Sequence, residues 1–176
     1  QRAQAITSEE LDWQALVKFA LRHRVLPLLY QRLSTTYSSV VPNDLLLELR
    51  QYCKNVSIRN LLLTAELAKL LRLMTLSDID TMPYKGPVLA KTLYSDINLR
   101  QFGDLDIVIE PHNMQTVERL LIAEGYRPYL GSKTPLELAQ YMADKNQHTY
   151  DFYHEQKKVF IEIHWRFWPV FFSSVQ

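Results

Sequence analysis

Apolar side chains in the first 76 residues recur every three or four positions. Leu11, Ala15, Leu16, Phe19 and Ala20 keep that spacing, which puts them on one stripe of a helix. Thr7-Ser8-Glu9-Glu10 just before them reads as a helix start, a capping hydroxyl followed by acids in the first turn. Val25 to Leu33 predicts a second, short helix, with Pro27 in the first turn where its missing N–H is harmless. Pro42-Asn43-Asp44 opens a third helical region running to about Leu76. Its apolar positions Leu45, Leu46, Leu49, Tyr52, Cys53, Val56, Ile58, Leu62, Leu63 and Leu67 meet no Gly or Pro. One long helix or two with a bend satisfy that rhythm equally.

After Leu76 the pattern shortens. Ile79 to Tyr84 suits a strand ending in the turn Lys85-Gly86-Pro87, and Pro87 to Tyr94 suits a helix with proline at its first position. Leu105 to Ile109 is a compact β-branched run that Pro111 stops. His112 to Glu124 predicts an amphipathic helix closed by Gly125. A strand over Tyr126 to Leu130 and a helix over Pro135 to Ala143 follow. Two strands, His148 to His154 and Val159 to Trp165, flank the polar turn Glu155-Gln156-Lys157-Lys158. The expected fold class is α+β: an all-helical segment over 1–76, then over 77–176 a small mixed sheet with helices packed on it.

Composition narrows the setting more than the function. With 47% hydrophobic and 22% charged residues in 176, the chain can build an ordinary globular core. Twenty basic side chains against nineteen acidic ones leave a formal charge of +1, which argues against long nucleic acid as a partner but leaves room for a local basic cleft. A lone cysteine, Cys53, supports neither a disulfide framework nor a cysteine-rich zinc site and fits a reducing, cytoplasmic setting. No apolar run approaches the roughly 18 residues of a membrane helix. The chain starts at Gln1, and Phe167, Trp168, Val170, Phe171 and Phe172 crowd its last ten positions; both features predict a fragment whose intact form continues past Gln176.

The chemistry concentrates at Gly103-Asp104-Leu105-Asp106. Residues two apart in a strand face the same way, so Asp104 and Asp106 project together while Leu105 and Ile107 point to the core. Two carboxylates so close repel unless a cation joins them or one is protonated. Mg²⁺ suits such a pair, because it takes hard oxygen ligands from one or two carboxylates and completes its shell with substrate phosphates. A solvated Asp-x-Asp at a strand edge is the plainer reading of the same motif. Glu162 and His164 repeat the spacing on the last predicted strand. If that strand neighbours the first, Glu162 completes a three-carboxylate cluster of the kind that clamps metal ions at a phosphorus centre; otherwise it pairs with Lys158 or Arg166. His164 reads as a structural histidine more than a substrate contact. Lys85-Gly86 lies between a strand and a helix, where a phosphate can approach the backbone and meet the Lys85 charge. Arg100, four residues before Asp104, is a candidate for a phosphate contact or for an ion pair with the acids.

The ordered set Tyr84-Lys85-Gly86, Arg100, Gly103-Asp104-Leu105-Asp106-Ile107-Val108-Ile109 and Ile161-Glu162-Ile163-His164-Trp165 resembles the uncharacterised nucleotidyltransferase family of the DNA polymerase beta-like superfamily. The resemblance spans Thr81 to Arg166. It implies a nucleotidyltransferase-like mixed sheet, with Asp104 and Asp106 holding Mg²⁺ (or Mn²⁺) and Glu162 completing the acidic set and helping to activate an acceptor. Lys85, Gly86 and Arg100 would serve the nucleoside triphosphate, ATP in the first instance. Lys85-Gly86 stands where the superfamily usually has Gly-Ser, and Glu162 where a third Asp is commoner. The acceptor, a small molecule or a protein, is not named by the sequence. A catalytically inactive nucleotide- or protein-binding module on the same scaffold is the rival reading.

Overall fold

The computed structural model describes residues 11–167, and the expectations for the Thr7-Ser8 helix start and for the apolar tail from Trp168 onward lie outside them. The fold is α+β, as the periodicities predict. Helices α1 (Trp13–Arg22), α2 (Leu26–Thr36) and α3 (Asn43–Leu76) come first. Strand β1 (Thr81–Pro83), helix α4 (Gly86–Tyr94), strand β2 (Asp104–Ile109), helix α5 (Met114–Ala123), strand β3 (Arg127–Pro128), helix α6 (Pro135–Ala143) and strands β4 (Thr149–His154) and β5 (Val159–His164) follow. By contacts the chain forms two compact units, one of residues 1–62 with 90–102 and one of residues 63–89 with 103–176.

In the first unit α1 begins on Asp12, whose carboxylate accepts the backbone N–H of Ala15 at 2.9 Å; this satisfies one of the N–H groups that a helix start leaves free. Ala20, Leu26, Leu33, Val41 and Leu49 form the buried cluster, with Trp13, Tyr30 and Tyr52 packed on it. The third helical region is a single helix of 34 residues. From it the buried Asn60 donates its amide to the carbonyls of Ile97 and Arg100 at 2.7 and 2.9 Å, and Tyr52 donates to Gln101 at 3.0 Å. These bonds pin the segment that carries Arg100.

In the second unit five strands lie in the order β1-β2-β5-β4-β3. Only β2 and β5 run parallel; every other neighbouring pair is antiparallel. The strands alternate as their sequences predict. Leu105 and Ile107 of β2, Ile161 and Ile163 of β5, and Tyr150 and Phe152 of β4 are buried together on one face. The buried residues Leu63, Leu67, Leu70 and Met74 continue the apolar stripe of α3. A polar clasp holds this stretch of α3: Glu66 accepts from Tyr126 Oη at 2.9 Å and from Lys157 Nζ at 2.6 Å, and Lys69 pairs with Glu124.

Several elements are shorter than predicted. The strand expected over 79–84 narrows to Thr81–Pro83, because β1 pairs only through those three residues. The one expected over 126–130 narrows to Arg127–Pro128, where the backbone turns back through Gly131 N–H to Pro128 O. The helix expected from His112 starts as a 3₁₀ turn over Pro111–Asn113. Gly125 ends it with φ +89°, a conformation that penalises any side chain.

Two outcomes test this architecture. Leu105 is fully buried in a central strand, so Leu105→Ala should lower the unfolding free energy by about 2–5 kcal/mol, measured by urea denaturation. Burial would raise the Glu66 carboxyl, but the hydrogen bonds from Lys157 and Tyr126 outweigh it and hold the group below its ordinary value of 4.5. A depressed folded-state pKa contributes stability above the unfolded value that is lost as pH falls through the folded one. The Tm gap between the native chain and Glu66→Gln should therefore be full near pH 7 and close progressively below about 4.5, read by thermal melts across that range.

Candidate functional site

The register of the sheet builds the site. Parallel pairing sets Asp106 of β2 opposite Glu162 of β5, and antiparallel pairing sets Asp151 of β4 opposite Glu162 on the other side. Residues directly opposite share a face, so three carboxylates stand in one row. The next row holds Val108, His164 and Thr149, and the row on the other side holds Asp104, Phe160 and Tyr153. This is the face opposite the buried Leu105, Ile107, Ile161 and Ile163. The alternation that fills the core thus also gathers the acids.

Asp106 is the most deeply placed of them, its side chain only 2% exposed. Its Oδ1 accepts from Lys85 Nζ at 2.7 Å and lies 3.3 Å from His164 Nε2. The same imidazole N–H lies 3.3 Å from Glu162 Oε2, so it bridges the two acids. Lys85 is brought there by β1: the backbone N–H of Tyr84 donates to the carbonyl of Asp106 at 3.4 Å and prolongs the ladder by one residue. The Lys85 ammonium also sits 5.0 Å from the centre of the Tyr84 ring, and that ring meets His164 edge-on at 5.2 Å. Gly86 follows with φ +49°, which turns the chain into α4.

These contacts fix the charges. Burial would raise the Asp106 carboxyl, yet hydrogen bonds from His164 and Lys85 outweigh it and hold the group below the ordinary carboxylate value. Burial would likewise lower His164, but its bonds to Asp106 and Glu162 prevail and its pKa is raised. Lys85 is raised for the same reason, its own burial outweighed by the bonds to Asp106 and Tyr84, so its ammonium stays charged. Asp151 is raised, chiefly by burial and further by the charge of Glu162, against an opposing hydrogen bond from Thr149.

The donor set fits a divalent cation. Asp106, Glu162 and His164 each offer one ligand atom, and these atoms lie within 4.8 Å of one another. Asp106 Oδ2 is buried with no hydrogen-bond partner, a state that costs free energy unless something takes up the lone pairs. Two carboxylates with one imidazole suit Mn²⁺ as well as Mg²⁺, which favours an all-oxygen shell.

Of the residues singled out in the sequence, Lys85, Asp106 and Glu162 therefore meet around one buried carboxylate. Asp104 is half-buried on the same face, one pleat from Asp106, and is not one of the three clustered ligands. Arg100 belongs to the first unit. His164, read as structural, is the hub of the cluster, and its period-two spacing from Glu162 is the signal for it. Asp151 was not singled out, although Thr149, Asp151 and Tyr153 carry the same alternation. Its Oδ1 is buried and without a hydrogen-bond partner.

No curated protein and no solved structure matches the chain. A family model described as "Uncharacterised nucleotidyltransferase" matches residues 9–175. That match takes in the leading helices as well as the strands that carry the acids. On that span, the chain belongs to the uncharacterised nucleotidyltransferase family.

Proposed function

We propose that the chain transfers a nucleoside monophosphate from a nucleoside triphosphate, ATP in the first instance, to an acceptor nucleophile. The acceptor's oxygen or nitrogen forms a bond to the α-phosphorus as the bond from that phosphorus to the bridging oxygen breaks, and pyrophosphate leaves. What supports this most is the row made by Asp106 and Glu162 on parallel neighbouring strands, with Asp106 Oδ2 buried and unsatisfied. Family membership supports the same reaction class.

Asp106, Glu162 and His164 are the residues that would hold a divalent cation, Mg²⁺ or Mn²⁺, and Asp104, one pleat away on the same face, is proposed as a further ligand. When bound, the cation neutralises charge developing on the phosphoryl oxygens. The chain's own residues do the rest. The buried His164, 3.3 Å from Asp106 Oδ1, orients that carboxylate and keeps the open lone pairs of Oδ2 aimed at one place. Glu162, with 27% of its side chain exposed against 2% for Asp106, is the acid best placed to take the proton that the acceptor loses. Lys85, nearly half exposed, has the reach to meet phosphate oxygens as a point charge.

Asp106→Asn keeps the side-chain shape and removes the charge. Mn²⁺ affinity, followed by electron paramagnetic resonance, and pyrophosphate release from ATP should each fall at least about 100-fold, the upper end of what losing a group that only supports a ligand costs. A folded variant that releases pyrophosphate at the native rate would refute the role of Asp106. A native chain that is stabilised by ATP and Mn²⁺ in a thermal melt, yet releases no pyrophosphate with any acceptor, would instead establish the binding-module reading.

A further inference from the structure

Lys85 is absorbed by the proposed function as a phosphate contact, yet its ammonium lies on the carboxylate oxygen of Asp106 at 2.7 Å. We infer that Lys85 is an electrostatic gate, an internal cation that holds the place of the divalent ion on Asp106 until a triphosphate draws it away. The inference rests on the reading of this face as a metal and triphosphate site. It adds a coupling that this reading alone does not contain: the metal binds more weakly before the nucleotide than with it.

Three observations carry it. Asp106 is buried to within 2% of its side-chain surface, so its charge needs a counter-cation whenever no metal is present. Lys85 supplies one from a side chain that is 46% exposed, on a stem of four carbons, so the ammonium can leave without unfolding its surroundings. The ammonium also lies 5.0 Å from the centre of the Tyr84 ring, a second attraction beside the site. The third is the location of the free lone pairs. They are on Oδ2, while Lys85 occupies Oδ1. A divalent ion on Oδ2 would therefore sit a few ångströms from a fixed positive charge, and the two repel.

A triphosphate reverses that balance. Its oxygens attract both cations, so the ammonium moves from carboxylate to phosphate and the repulsion becomes a shared attraction. By reciprocity, whatever factor the nucleotide adds to metal affinity the metal adds to nucleotide affinity. His164 does not replace Lys85 in this role, because its side chain is as buried as Asp106 and is tied to Glu162 as well.

The test uses Mn²⁺ alone, with no nucleotide, titrated into the full chain and followed by the electron paramagnetic resonance of free Mn²⁺. Lys85→Gln keeps a hydrogen-bond donor near Asp106 and removes the charge. It should bind Mn²⁺ about tenfold more tightly than the native chain, the scale set by deleting one unit charge a few ångströms from a divalent ion. Lys85→Met, which drops the donor too, should show the same gain if it folds by circular dichroism. Lys85→Arg restores the charge and should return the affinity to the native value. Adding Asp106→Asn to Lys85→Gln should abolish the gain. Equal Mn²⁺ affinity in the native chain and the Gln variant overturns the gate and leaves the metal site standing. No Mn²⁺ binding by any of the proteins overturns the metal site, and the gate with it.

Discussion

Parallel pairing of β2 with β5 is the constraint on which the candidate site depends. Sliding one strand past the other by a single residue would exchange the faces, burying Asp106 or Glu162 among Leu105, Ile107, Ile161 and Ile163. Those four apolar side chains are fully buried, and their burial is what makes that slip costly. The acids are thus held together by hydrophobic packing on the opposite face of the same strands. Clustered like charges repel, so the core has to impose the arrangement. The folding energy of the sheet and the geometry of the site are one quantity seen from two sides.

Charge on the polar face follows from that imposition. Asp104, Asp106, Glu162 and Asp151 share a face that offers few cations in return, with Lys85 and His164 both concentrated on Asp106. The most buried acid is therefore also the best neutralised, which is the only arrangement in which a carboxylate at such depth stays ionised at low cost. Asp151 is raised above the ordinary carboxylate value, chiefly by burial, which the charges of His164 and His148 do not offset. One face thus holds carboxyls shifted in opposite directions, set by burial and by how closely a basic group reaches them.

Local structure was legible in the sequence because it depends on local periodicity. The 3.6-residue rhythm from Leu45 to Leu67 belongs to one continuous helix, and the period-two alternation at Asp104–Asp106 and Glu162–His164 assigns faces correctly. Adjacency was expected only conditionally, since nothing in residues 104–109 states that 159–164 is their neighbour. That pairing is non-local and is decided by which strands bury each other's apolar faces. The same gap explains His164 and Asp151. Their alternation was visible, but whether a face is functional depends on the strand alongside. Lys85 was recognised for its charge, while its partner across 21 residues was hidden until β1 joined the edge of β2. Edges of elements were least legible, as the contraction of β1 and β3 illustrates, because a short strand ends where its partner ends.

The Lys85-Gly86 turn shows how a departure from a wider pattern can alter the physics of a site while preserving its shape. Where the superfamily usually has Gly-Ser, the turn presents small neutral groups and backbone to a phosphate. Here glycine still supplies the left-handed backbone, φ +49° at Gly86, so the chain still swings from strand into helix. The residue before it brings a full positive charge, and β1 delivers that charge onto the deepest acid of the sheet. With a neutral turn, His164 would be the basic group left on such an acid. The lysine turn adds a second cation on that carboxylate, one with which a metal ion would compete on the proposed reading. On the proposed reading, a nucleotide that drew the ammonium away would relieve that competition, so the affinities of the triphosphate and the cation would be coupled.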